Sequence, residues 1–232
     1  MDFGLICEGP TDQAVIENVL CGIYDNEDLF EEITPLQPGG VSDTNKDGGW
    51  ERVLEYIASY KFREAFSFID NIIIQIDTDV ATNIGFDIDF RDQNGITTKS
   101  IPIIIDKVKE RLIEKINSIE DGFYDKHKDR IFFAISVHSI ETWIYKHYDN
   151  QSRKSQINNG EENLAKQLNK NKKYNKYIEK GSKNSLLMKK NYDNYNELTI
   201  SFFNTKTAKK SINSLYVKDE SFKIFIDSLP PL

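Results

Sequence analysis

Three short runs of the chain, residues 3–7 (FGLIC), 71–76 (NIIIQI) and 130–137 (RIFFAISV), are apolar almost throughout. Runs of this length and composition suit strands buried on both faces, as in the middle of a parallel sheet. A weaker run stands at 33–36. The segments between them carry helical spacing instead. Ala14, Val15, Val19 and Leu20 share a face over 12–23, with Thr11 placed to cap it. Val53, Leu54, Ile57 and Ala58 do so over 48–60, and Ile105, Val108, Leu112, Ile113 and Ile116 over 101–119. A further helix begins near Ser139. Loops rich in Gly, Asp, Ser and Asn occupy 38–49, and an irregular polar stretch occupies 80–100. Strands alternating with helices predict an α/β fold, a mostly parallel sheet flanked by helices on both faces.

Beyond about residue 151 the strand signal stops, and 161–168, 177–190 and 205–216 read as helices. Residues 220–229 close the chain, with Phe222, Phe225 and Ile226 able to dock on the body. The expected organisation is therefore an α/β domain over 1–150 and a Lys-rich helical region over 151–232 packed on it.

Charge divides the same way. Residues 151–190 hold 11 basic and 3 acidic side chains, a local +8, which leaves −15 in the remainder of a chain whose net charge is −7. An acidic body with a basic segment suits a protein that holds cations in one place and meets a polyanion with another; a solvated, compositionally biased surface gives the same count. No apolar run approaches the ~20 residues of a membrane span. The opening MDFGLICEGPTDQ lacks a basic n-region, so a cytoplasmic location is expected. Cys7 and Cys21 are too few for a disulfide framework or a zinc site and read as buried thiols.

The chemistry-bearing residues fall at strand ends. Glu8 follows the first strand, Asp77 and Asp79 follow the central one, and Glu141 follows the fourth. In an open parallel sheet, ligands bind beyond the carboxyl ends of the strands. Converging carboxylates repel one another unless a cation sits among them, and Mg²⁺ or Mn²⁺ takes such oxygen ligands. On an extended segment Asp77 and Asp79 point the same way and can reach one ion. Gly9 lets the backbone leave the first strand sharply. Asp12, in the first turn of the following helix, either adds a ligand or favours the helix dipole. A second DxD, Asp87 and Asp89, has no strong strand before it and reads as loop acidity. His138 is open to a structural or a site role, and Trp143 reads as core rather than a base-stacking platform.

The strand followed by Glu8-Gly9-Pro10-Thr11-Asp12, together with IIIQ-Asp77-Thr78-Asp79, resembles a Toprim domain, a Rossmann-like catalytic fold. The segment Val137-His138-Ser139-Ile140-Glu141-Thr142-Trp143 and the closing Glu220-Ser221-Phe222-Lys223-Ile224-Phe225 are similar to segments of small stand-alone RloB/DUF4276-like proteins, and the EGPTD form to OLD-type Toprim nucleases. Val80-Ala81 stand where topoisomerase-like members carry a Gly soon after the DxD. The resemblance covers about residues 1–150. It implies Glu8 as a metal-linked general acid/base and Asp77 and Asp79 as ligands. Glu141 then completes the acidic cluster, with His138 beside it; the reading of the residues themselves adds Asp12 as a further ligand and Gly9 as accessory.

The expected function is a Mg²⁺- or Mn²⁺-dependent nuclease cleaving DNA or RNA, the effector of a bacterial anti-phage system. The alternatives are a phosphohydrolase of nucleotides or small phosphoesters, and a non-catalytic Toprim subunit of an ATPase complex. The chain has no G-x-x-x-x-G-K-[ST] loop, so an ABC- or AAA-type ATPase partner would be a separate subunit. The expected partners are thus nucleic acid and such an ATPase, with a homo-oligomer admitted and no membrane.

Overall fold

In the computed structural model, which describes residues 1–36, 49–91, 94–149, 158–182 and 185–231, the apolar runs are strands of one parallel sheet. They are β1 (Phe3–Ile6), β2 (Ile33–Pro35), β3 (Asn71–Asp77) and β4 (Ile131–Ser136), in the order β2-β1-β3-β4. Each pair is parallel, with Ile6 opposite Ile74 and Asp77 opposite Ser136. The expected α/β class and the flanked parallel sheet are observed. Most of the 38–49 loop and Gly48 lie outside the described residues.

The helices follow in chain order. The first group is α1 (Pro10–Ile23), α2 (Trp50–Ile57), α3 (Tyr60–Ala65), α4 (Ile101–Asn117) and α5 (Phe123–His127). The second is α6 (Ile140–Tyr148), α7 (Gly160–Leu168), α8 (Tyr192–Phe203), α9 (Ala208–Lys218) and α10 (Glu220–Ser228). Strand alternation sorts the core into two clusters. Ile72, Ile74 and Ile76 of β3 join α2 to α5, whereas Ile73 joins α1 and α6 to α10. By the same alternation Gln75 and Asp77 belong to the second face, which is where the candidate site forms. No helix among the described residues is long and apolar enough to cross a membrane.

Several expectations are corrected. The 48–60 helix ends at Ile57, because the Ser59 hydroxyl accepts from the Phe62 N–H and starts a new helix. α1 begins at Pro10 with Gly9 as its N-cap, so Thr11 does not cap it. Residues 177–190 are not a helix. They form an antiparallel hairpin of β5 (Ile178–Lys180) and β6 (Leu186–Met188). Gly181 and Ser182 interrupt the apolar positions there, and Met188 is buried in the core. α8 was not expected from the sequence. Its aromatic and β-branched residues are indifferent helix formers. Tyr195, Leu198, Thr199 and Phe202 nonetheless recur on one buried face, and α8 packs on α1.

Candidate functional site

The strand order reverses direction between β1 and β3, so the crevice beyond their carboxyl ends is the switch point of the sheet. The backbone N–H of Glu8 donates to the Gln75 amide oxygen at 3.1 Å. The Glu8 carboxylate in turn accepts the Asp77 N–H at 2.6 Å. Gln75 is fully buried, and its Nε2 donates to Asp77 Oδ1 at 3.0 Å. A polar residue inside an apolar strand thus ties the two strand ends together.

The junction of β4 and α6 completes the frame. Asp77 Oδ1 also accepts the Ser136 hydroxyl and, at 3.1 Å, the Ile140 N–H. Asp77 therefore satisfies the first turn of α6 from a neighbouring strand. The Thr78 hydroxyl accepts the His138 N–H at 2.8 Å, and the Asp79 N–H donates to the His138 carbonyl at 3.0 Å. His138 adopts φ 74°, a left-handed conformation that costs a non-glycine residue energy and occurs disproportionately at functional sites. Its Nδ1 is buried without a hydrogen-bond partner among the described residues.

A cavity of about 280 Å³ opens at this edge, with Asp77, Asp79, His138, Glu141, Glu161 and Lys190 on its wall. Four residues expected from the sequence thus meet in one place. Asp77 and Asp79 share it for a reason other than the one expected. β3 ends at Asp77, so Asp79 belongs to the following turn and is placed by its bond to His138. Glu8 and Asp12 are not on the wall; Glu8 reaches it through Asp77, and Asp12 is buried in the first turn of α1. Gly9 has φ −159°, extended backbone open to any residue, so a sharp turn does not explain it. A side chain there would meet the Asp12 carboxylate at 3.4 Å, an ordinary contact. Asp89 of the second DxD pairs with Arg91 at 2.9 Å, and neither lines the cavity.

Part of the site comes from beyond residue 150, including Lys190, Tyr195 and Glu161. Lys190 Nζ stands 3.1 Å from Glu141 Oε1 and 3.2 Å from Glu161. Tyr195 of α8 donates to the same Glu141 oxygen at 2.8 Å. Glu161 accepts the Met188 N–H at 3.1 Å and so holds β6 against α7. Lys190 and Tyr195 carry no local signal in the sequence that distinguishes them from the other lysines and tyrosines. Gln75 did carry one, as the only polar residue between Ile72 and Ile76.

The electrostatics report crowding. Burial, then the charge of Asp12, pushes the Glu8 carboxyl up to about 8. Burial, then Glu141, pushes Asp12 up to about 7. Burial and Glu8 raise Asp77 well above the carboxylate range, and burial raises Asp79. Glu141 is the exception. Burial raises it, but Lys190, Ser139 and Tyr195 outweigh that and hold it below the usual value.

Among the described residues no group of three Asp, Glu, His or Cys side chains is set to share one ion. In its chemistry the donor set fits a hard cation: Glu8, Asp12, Asp77, Asp79 and Glu141 offer oxygen alone. Glu8 and Asp77 are each anchored by one oxygen and leave the other, Oε2 and Oδ2, without a donor among the described residues. Trp143, by contrast, is fully buried between Phe222 and Phe225, with Nε1 donating to Ser221 at 2.9 Å, and is core as expected. Cys7 and Cys21 are buried and are not joined in a disulfide. No family model, no curated protein and no solved structure matches the chain.

Proposed function

We propose that this protein is a divalent-cation-dependent phosphodiesterase acting on nucleic acid, built as a Toprim-like nuclease. One observation carries the reading: Asp77, Asp79 and Glu141 line one cavity at the switch point of a parallel sheet, with Glu8 bonded to the Asp77 N–H and Asp12 buried in the first turn of α1. Such crowding is unfavourable without a compensating cation. Asp77, Asp79 and Glu141, with Glu8 and Asp12 behind them, would hold Mg²⁺ or Mn²⁺. A bound ion of this kind polarises a phosphate oxygen and lowers the pKa of water.

The remaining work falls to the chain itself. Glu8, which is anchored to the Asp77 N–H by one oxygen and keeps the other without a donor among the described residues, is the group assigned to take up and return a proton. Lys190, 49% exposed at the cavity wall, is placed to donate to the leaving oxygen. Lys172, Lys173, Lys180 and Lys189 are exposed on the same basic segment and supply sequence-independent phosphate contacts. Arg153, Lys154 and Lys183 of that segment lie outside the described residues. The modest cavity favours one competing substrate, a small phosphoester, since ligand pockets begin at roughly 300 Å³.

Incubation with plasmid, single-stranded DNA and tRNA in Mg²⁺ or Mn²⁺, beside Asp77→Ala, tests the reading. Cation-dependent cleavage lost in Asp77→Ala is expected. Cleavage that survives the substitution removes the proposed centre, and turnover of small phosphodiesters alone selects the competing substrate.

A further inference from the structure

α8 contributes nothing to the sheet, yet Tyr195 in its first turn bonds to Glu141, which lines the acidic cavity. Tyr195 has no exposed surface, and its ring sits in the cluster formed by α1 and α6 to α10. Its hydroxyl donates to Glu141 Oε1 at 2.8 Å, inside a region where Glu141 itself is only 3% exposed. A phenylalanine ring would fill the same volume, so packing does not explain the oxygen. Among the described residues that oxygen donates to the Glu141 carboxylate alone.

The helix that carries this hydroxyl is held in register by polar contacts with α1. The Asn18 amide donates to the Asn196 carbonyl, to the Asn196 side chain and to the Thr199 hydroxyl, at 3.1, 3.0 and 2.8 Å. One turn away Tyr192 donates to the buried Glu17 at 2.5 Å, and Gln13 donates to the other Glu17 oxygen at 2.7 Å. Apolar residues would pack this interface with less desolvation cost. What the polar set adds is register: a shift of α8 along α1 breaks several bonds at once. α1 is also the helix that carries Asp12.

We propose that Tyr195 is a positioning residue for the cation centre, its hydroxyl fixing the Glu141 carboxylate so that the second oxygen is presented to a divalent ion. This rests on the reading of the acidic cluster as a cation site. Lys190 touches the same oxygen but is half exposed and shared with Glu161, so it is the adjustable partner. Tyr195, buried and with only two side-chain torsions, is the rigid one. Outer partners of this kind hold a ligating carboxylate in its binding orientation, and their loss typically costs ~10–100-fold in metal affinity.

The experiment measures Mn²⁺ affinity of the full chain by calorimetry and by the electron paramagnetic resonance signal of free Mn²⁺. It compares wild type, Tyr195→Phe, Glu141→Gln and the double variant, with thermal unfolding followed in parallel. The expected result is a Kd raised about tenfold or more in Tyr195→Phe, in a chain that still unfolds cooperatively with only a modest fall in unfolding temperature. In the Glu141→Gln background the same substitution has no further effect. Wild-type affinity in Tyr195→Phe overturns the inference while leaving the cation site intact. An equal loss in both backgrounds overturns it as well, because the hydroxyl then does not act through Glu141. Collapse of the fold in Tyr195→Phe assigns the hydroxyl to stability instead and also overturns it. Absence of Mn²⁺ binding in wild type removes the cation site itself, and this inference with it.

Discussion

The Glu8 carboxylate accepts the Asp77 backbone N–H at 2.6 Å, while the Glu8 N–H is held by Gln75, the residue two positions before Asp77 on the same strand. Two carboxylates that repel one another are thereby joined by neutral donors and acceptors. Substituting Gln75→Leu keeps the volume but strands the Glu8 N–H and removes one of three donors to Asp77. A loss of about 2 kcal/mol in urea unfolding is expected, from a buried polar group left unpaired. Mn²⁺ affinity should fall together with stability. An unchanged unfolding midpoint would show that the strand ends do not need this bridge.

Proton release should accompany cation binding. Glu8 and Asp12 stand at about 8 and about 7 in the folded chain, above their ordinary 4.5 and 3.8. The folded form therefore holds more protons than the unfolded one between those limits. Their stabilising contribution is complete below about pH 4 and is lost as pH rises through 7 to 8. The cation-free protein should melt at progressively lower temperature across that window, and Mg²⁺ or Mn²⁺ should restore the lost degrees most strongly at its alkaline end. Calorimetry in buffers of different ionisation enthalpy should show uptake of buffer-dependent heat at pH 7. A binding heat independent of buffer would contradict the shifts.

Much of this site was legible before the fold was known, and the reasons differ by residue. Glu8, Asp77 and Glu141 were readable because each ends or follows an apolar run, and a parallel sheet puts all such ends on one edge. Asp79 was readable for the wrong reason, since its position depends on a turn bonded to His138 and not on strand alternation. The β5–β6 hairpin and α8 were not readable. Their short or propensity-poor sequences take their structure from burial against α7 and α1, which local periodicity does not record. Lys190 and Tyr195 were hidden for the same reason, as Lys190 lies in the link between β6 and α8 and Tyr195 on α8 itself. The two segments noted near Trp143 and Phe222 prove to be one unit: Ser221, Phe222 and Phe225 surround Trp143 and so brace the helix that carries Glu141.

That brace includes a buried ion pair whose two ends are not equivalent. Lys146 Nζ lies 2.7 Å from Asp219 Oδ2, both nearly inaccessible to solvent. Asp219 additionally accepts the Ser221 hydroxyl and, as the N-cap of α10, the Phe222 N–H. Asp219→Ala removes all three contacts and strands a buried ammonium, so a loss of about 4 kcal/mol is expected. Lys146→Met leaves Asp219 with two donors and should cost clearly less. Chemical denaturation of both variants decides the matter, and equal losses would deny the capping role.

His147 gives the molecule a second pH dependence, on the acid side. The ring packs against Tyr148 and Phe202, one nitrogen contacts the Ser201 hydroxyl at 3.0 Å, and Nδ1 is buried without a hydrogen-bond partner among the described residues. Burial, reinforced by the charge of Lys218, lowers its pKa from 6.5 to about 4. The unfolded chain therefore binds this proton first. The neutral ring's contribution is fully present above 6.5 and is lost as pH falls toward 4. At pH 5 the deficit is about 2 kcal/mol. His147→Phe fills the same aromatic space and cannot titrate, at the cost of the Ser201 contact. The variant should be slightly less stable than wild type at pH 8 and more stable at pH 5, so that the two urea midpoints cross between those values. Parallel curves with no crossing would show that His147 is not the group that charges on acidification.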